Sequence, residues 1–222
     1  CYSEPLHTGF SKAKTRQACT TRLLQARSPQ VTIKDAIAIL RSHGGQHSWA
    51  PAGSLTDQQV CMHASFGPIR NSQTTGSLVA HLTLDREPTF WVTGTAAPCT
   101  SVYKPVWISS GVPDTGPEPD AVFNPDSLWW QHERLHRAIL RDYPRRIQLI
   151  QTDRDQLEEM FLNAVDRRTQ NGRILSEQCF EQAAYKEYEW LEKIKSTPGR
   201  SGSILFHGAW AALNRQAKIQ VI

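Results

Sequence analysis

Gly76-Ser77-Leu78-Val79-Ala80-His81-Leu82-Thr83-Leu84 is followed by Asp85-Arg86-Glu87-Pro88 and then by Thr89-Phe90-Trp91-Val92-Thr93-Gly94-Thr95. Two runs rich in β-branched and aromatic residues, which suit a pleated surface, are separated by charged residues and a proline, which do not. The passage therefore reads as an antiparallel hairpin over 76–84 and 89–95. Working outward, Ser101–Ile108 has the composition of a further strand and Gln59–Ala64 that of a short one.

Helical patterns flank this strand region on both sides. On the N-terminal side, residues 11–26 read as a helix that opens at Ser11 and ends at Ser28-Pro29. Residues 33–43 read as a second, with Thr32 as N-cap, Asp35 in the first turn, an apolar stripe of Ile33, Ala36, Ile37 and Leu40, and Gly44-Gly45 as the stop. Residues 45–58 and the Pro- and Gly-rich 109–125 read as connections. Beyond the second connection come helices over 126–143 (Asp126 as N-cap), 145–169, 174–196 and 204–216. Trp129, Trp130, Trp190 and Trp210 in this region are expected in the core. The expected division is 1–108 (helices, then closing strands), a connection at 109–125, and a helical region at 126–222. The expected class is α+β.

Composition excludes several functions. With 39% hydrophobic and 21% charged residues among 222, the chain is an ordinary globular sequence rather than a disordered one. No apolar run approaches the roughly 18 residues that span a bilayer, so no membrane partner is expected. The formal charge is only +4, and the densest basic cluster, Arg141–Arg146, is interrupted by Asp142, Tyr143 and Pro144, so it reads as a solvated helix end rather than a nucleic-acid surface. The five cysteines, at 1, 19, 61, 99 and 179, are odd in number and contain no CxxC, which argues for free thiols in a reducing, cytoplasmic compartment and against a zinc knuckle. No cofactor is expected. The first residue is Cys1 rather than Met, and Lys218–Ile222 has strand-like composition, so the chain is expected to be a piece of a longer protein.

Three segments carry a resemblance. They are Val60-Cys61-Met62-His63-Ala64, Gln73-Thr74-Thr75-Gly76-Ser77-Leu78-Val79-Ala80-His81-Leu82, and Phe90-Trp91-Val92-Thr93-Gly94-Thr95-Ala96-Ala97-Pro98-Cys99 running on to Val102-Tyr103-Lys104-Pro105. Together they resemble the closing strands of secernin-like dipeptidases, peptidase family C69 of the N-terminal-nucleophile (Ntn) hydrolases. The Ala38-Ile39-Leu40-Arg41 helix and the Leu128-Trp129-Trp130 helix fit the same pattern. The resemblance implies an αββα Ntn-hydrolase sandwich with antiparallel strands, of which this chain would be the C-terminal half, followed by its helical region. It implies hydrolysis of a dipeptide or small amide through a thioester. The nucleophile would be an N-terminal cysteine whose α-amino group is the base. Cys1 is one candidate for that nucleophile. It lies only 60 positions before Cys61, however, and a polar stretch follows it instead of an alternating strand. The nucleophile is therefore expected in a missing N-terminal half, which would be the main partner alongside self-association. Gln73, Thr74, Thr75 and Ser77 are the candidate wall of the substrate pocket.

Two other readings remain. A non-catalytic secernin-like interaction protein would keep the fold without the chemistry. Alternatively, His132-Glu133-Arg134-Leu135-His136 matches H-E-x-x-H, in which His132 and His136, one turn apart, would grip zinc and Glu133 would activate a water. Arg134 and Arg137 beside the second histidine instead suggest an amphipathic surface helix. Cys99 is expected to pack as a small buried hydrophobe, and His63 and His81 as structural strand histidines.

Overall fold

The structure, a computed structural model, describes residues 12–44, 49–53, 59–65, 70, 72–168 and 171–221. It is a mixed α/β arrangement in which helices dominate and pack around a small antiparallel sheet. Cys1 lies outside the described residues, as does Ser11.

The first two helices are α1, Ala13–Gln25, and α2, Ile33–Leu40. α1 is mostly polar and buries only Cys19. α2 begins where expected. The Asp35 amide donates to the Thr32 hydroxyl at 3.1 Å, and the Asp35 carboxylate accepts from the Thr32 amide at 3.0 Å. Two N–H groups that the first turn leaves without helical partners are thus satisfied reciprocally. Ile37 and Ile39 face the core.

The sheet has the order β1 (Leu78–His81), β2 (Thr89–Val92), β3 (Lys104–Val106), antiparallel throughout. Leu78 pairs with Val92, His81 with Thr89, and Trp91 with Pro105. The hairpin is present but shorter than its composition suggests. Gly94 adopts φ +62°, a left-handed conformation that ends β2 and swings the chain into the buried turn 95–101. In β3, Pro105 offers no N–H to a ladder. The strand expected over Gln59–Ala64 joins no ladder among the described residues. Its Met62 amide donates to the Thr74 hydroxyl, a side chain standing where a strand partner's carbonyl would be, while Thr74 N donates to Met62 O, both at 3.0 Å. His63 accordingly lies outside any strand, and His81 is exposed on β1.

The remaining helices are α3 (Leu128–Leu140), a short α4 (Tyr143–Arg146), α5 (Gln148–Asp166), α6 (Gly172–Lys195) and α7 (Ile204–Gln216). The residue before α3 is Ser127 rather than Asp126, and it makes no side-chain capping bond. α6 is the central strut and packs against β3, α3 and α5. Ile37, Trp91, Tyr103, Leu135, Ile150, Trp190 and Trp210 belong to one continuous apolar cluster, so segments on both sides of 109–125 share a core. The strand-like tail folds back instead: Ala217 O accepts from Phe123 N at 2.8 Å, and Ile219 packs with Trp130. Among the described residues no helix is long and apolar enough to cross a membrane.

Candidate functional site

The turn after β2 is the most heavily buttressed loop. Arg41, just past α2, donates from Nε to Pro98 O and from Nη2 to Ser101 O, both at 2.8 Å. Its guanidinium also grips Glu158 of α5 in a two-pronged pair, Nη1 to Oε2 at 2.7 Å and Nη2 to Oε1 at 2.6 Å. Burial works against the Arg41 charge, but Glu158 more than compensates and holds its pKa above the usual value. Glu158 Oε1 accepts in addition from Tyr103 N at 2.6 Å, and Arg154 donates to Cys99 O. Loop carbonyls that a ladder would have used are thereby satisfied by arginine, whose planar fork suits several fixed acceptors.

What this scaffold presents is Cys99. Its Sγ lies 3.2 Å from His63 Nε2, and the Tyr143 hydroxyl donates to it at 3.4 Å. Cys61 Sγ lies 3.6 Å from the same His63 nitrogen, and His43 Nε2 lies 3.3 Å from it. Ligand-capable atoms of His43, Cys61, His63 and Cys99 all fall within 4.8 Å of one another. They converge from three places: the segment after α2, residues 59–65, and the turn after β2. The His43 ring stacks on Trp49 with centroids 3.7 Å apart and planes 7° apart. Cys61, His63 and Cys99 are 0%, 2% and 4% exposed, and His43 is half-buried.

The two thiols behave as a unit. Burial pushes the Cys61 thiol well above its ordinary pKa, and its contact with Cys99 pushes the same way. Burial acts upward on Cys99 too, but there the Cys61 hydrogen bond, the His63 charge interaction and hydrogen bonds from the two imidazoles prevail, and its pKa falls well below the usual value. His63 is pulled down to about 4, chiefly by burial, with His43 and His136 adding to the effect. It is therefore a neutral imidazole at neutral pH.

A polar chain leads away from this group. His63 Nδ1 lies 3.3 Å from His136 Nε2, His136 Nδ1 lies 3.1 Å from Glu133 Oε2, and Arg137 Nε donates to Glu133 Oε1 at 2.8 Å. Burial would raise the Glu133 carboxyl, but His136 and Arg137 outweigh it and hold it at about 2. Arg137 itself lies between the Trp130 and Trp210 rings, 5.5 and 5.4 Å from their centroids, and donates to Asn214 Oδ1 at 2.9 Å. Burying Glu133, His136 and Arg137 on α3 is tolerable because each has a partner of opposite charge or complementary hydrogen-bonding sense.

This corrects the expectation of a surface helix: His132, Glu133 and His136 are each 0% exposed. Nor do the two histidines share an open site. His132 Nε2 faces Ala96 O at 3.0 Å and the Thr100 and Ser101 hydroxyls at 3.2 and 3.1 Å. Its Nδ1 lies 2.9 Å from Glu187 Oε1, off the line of a straight hydrogen bond. His136 is engaged on both nitrogens by His63 and Glu133, and Glu133 by His136 and Arg137.

The Gln73–Ser77 wall leads directly into β1. Ser77 Oγ accepts from the Tyr103 hydroxyl at 2.5 Å, and Thr74 Oγ1 from Met62 N, so these two hydroxyls hold the wall together. Thr75 is exposed. Gln73 Nε2 reaches Glu133 Oε1 at 3.4 Å, while its buried Oε1 has no partner among the described residues. The Cys/His group itself is not foreseen by sequence reasoning, because its members are scattered over residues 43 to 99 and only Cys61-Met62-His63 is local. The absence of CxxC argues against a zinc knuckle only, and says nothing of ligands that the fold brings together from distant positions. No family model, no curated protein and no solved structure matches the chain.

Proposed function

We propose that the chain is part of a cysteine-type amidohydrolase of the secernin/C69 kind. On this reading it supplies closing strands, helices and one wall of the substrate pocket, formed by Gln73, Thr74, Thr75 and Ser77. A thiolate from elsewhere in the complete protein attacks the carbonyl of a small peptide or amide, and the leaving amine takes a proton from the conjugate acid of the base. Water then cleaves the thioester, giving the carboxylate and restoring the thiol. On this reading Cys61 and Cys99, both buried, are not that nucleophile.

The observation that supports this reading is the state of β1. Among the described residues it is bonded only to β2, and Leu78 on it and Leu82 and Leu84 in the turn that follows it are 55%, 71% and 103% exposed. A strand with a bare edge and exposed apolar side chains is what remains of a layered sheet when the next segment is taken away. The Gln73 Oε1, unpartnered among the described residues, fits a wall completed by another segment or by substrate.

The test is amide hydrolysis by the complete protein on a set of dipeptides, with and without cysteine alkylation. Activity abolished by alkylation, and a fall in kcat/KM for Gln73→Ala with an unchanged circular dichroism spectrum, is the expected result. A complete protein that hydrolyses none of the dipeptides, or whose activity survives alkylation, would overturn the reading in favour of a non-catalytic interaction protein or another chemistry.

A further inference from the structure

We infer that His43, Cys61, His63 and Cys99 form a structural binding site for a single Zn2+ ion, independent of the amidohydrolase reading. Zinc bound by two thiolates and two imidazoles is tetrahedral, with bonds of about 2.3 Å to sulfur and about 2.0 Å to nitrogen. Those lengths require ligand–ligand edges of about 3.3 Å between nitrogens and about 3.5 Å between nitrogen and sulfur. From His63 Nε2 the three edges are 3.3 Å to His43 Nε2, 3.6 Å to Cys61 Sγ and 3.2 Å to Cys99 Sγ. Side chains packed only to fill space would not bring three ligand atoms to bonding-edge distance around a fourth.

Charge and surroundings agree with this. Two thiolates balance the two charges of zinc, so the occupied centre is neutral and suits an interior that tolerates no uncompensated ion. The donor set of sulfur and imidazole suits a borderline-soft divalent cation and disfavours Mg2+ or Ca2+. A zinc-bound histidine needs its other ring nitrogen oriented. His63 has that orientation through His136 and Glu133, in the tautomers His63 Nδ1–H to His136 Nε2 and His136 Nδ1–H to Glu133. The Tyr143 hydroxyl donates to the Cys99 sulfur.

All four ligands are protein side chains, with Cys61, His63 and Cys99 buried and His43 half-buried, which marks a structural rather than a catalytic centre. Its work is to tie together three stretches that ladders do not join: the exit of α2, residues 59–65 and the turn after β2. Binding forms two Zn–S bonds, and each thiol that was protonated gives up its proton to solvent as its bond to the ion forms.

The experiment is metal analysis of the whole chain, purified without a histidine tag and dialysed against metal-free buffer. About one zinc per chain is expected. Cys61→Ser and Cys99→Ser should each lose it, while Cys179→Ser, at a buried thiol outside the group, should retain it. Because the Ser variants could fail to fold, the wild-type chain is also stripped with chelator and titrated with Co2+. A thiolate-to-metal charge-transfer band together with the d–d bands of tetrahedral cobalt is expected, saturating at one equivalent and abolished by excess Zn2+. A zinc-free wild type that gives no charge-transfer band with Co2+ would overturn the inference. So would full zinc content in the Cys61→Ser/Cys99→Ser double variant.

Discussion

Replacing Arg41 with alanine tests how the turn after β2 is held. The guanidinium makes four hydrogen bonds, two to Glu158 and two to the carbonyls of Pro98 and Ser101, and its side chain is 11% exposed against 7% for Glu158. Removing one partner of a buried pair costs about 3–5 kcal/mol, because the other charge is stranded. Each orphaned carbonyl would add about 1–3 kcal/mol in isolation. These costs overlap, and water entering at the exposed end of the gap offsets part of them. The expected loss is therefore about 4 kcal/mol. With a urea m-value of about 2 kcal/mol/M, that lowers the unfolding midpoint by about 2 M. The control is Arg41→Met combined with Glu158→Met, which removes both charges, keeps apolar volume, and leaves only neutral groups unpaired. It should cost about half as much. An Arg41→Ala protein within about 1 kcal/mol of wild type in urea unfolding, or a double variant as damaged as the single one, would show that the pair is solvated and that the loop is held by something else.

Three further outcomes are expected. Lys104 is buried, donates to Thr93 O and Val102 O at 2.7 and 2.8 Å, and is pulled down to about 8, mainly by burial. The unfolded chain, with a lysine pKa of about 10.4, then holds the extra proton between pH 8 and 10.4, so stability should rise with pH through that window by up to about 3 kcal/mol; thermal or urea unfolding of Lys104→Met should lack this rise, and equal slopes would count against it. Gly116 sits at φ +74° with a hypothetical Cβ 2.0 Å from Asp126 O, whereas the Cβ site of Gly208 in α7 is open. Gly116→Ala should therefore lose about 1–3 kcal/mol while Gly208→Ala gains about 0.5–1 kcal/mol, an opposition in sign readable from paired melting curves. Leu135, 1% exposed at the centre of the core, should cost about 2–5 kcal/mol when cut to alanine; a smaller loss in urea unfolding would mean that the core collapses into the gap.

Local patterns were the legible part of the sequence. The Thr32/Asp35 box, the apolar stripe of α2, the hairpin around Asp85–Pro88 and the long C-terminal helices can all be read from spacing, because hydrogen bonds within a few residues enforce them. The misreadings have tertiary causes. Gln59–Ala64 has strand composition, but the Thr74 hydroxyl takes the partner's place at Met62. Arg134 and Arg137 make α3 look like a surface helix, yet Arg137 is covered by two indoles and neutralised by Glu133. For the candidate site, Cys61, His63 and Cys99 were visible one at a time. Their convergence with His43 depends on where α2 ends and how Gly94 turns the chain, neither of which leaves a periodic trace in the sequence.

The length and position of α6 have a consequence for how the molecule opens. Twenty-four residues at about 1.5 Å each make a rod of roughly 36 Å, in contact along its course with β3, α3 and α5. No part of it can fray inward without uncovering Trp190 or Leu175, both in the common core. Its central amides should therefore exchange with deuterated solvent only through the rarest, global opening. Those of α1, whose buried residue among those described is Cys19, should exchange by local release long before.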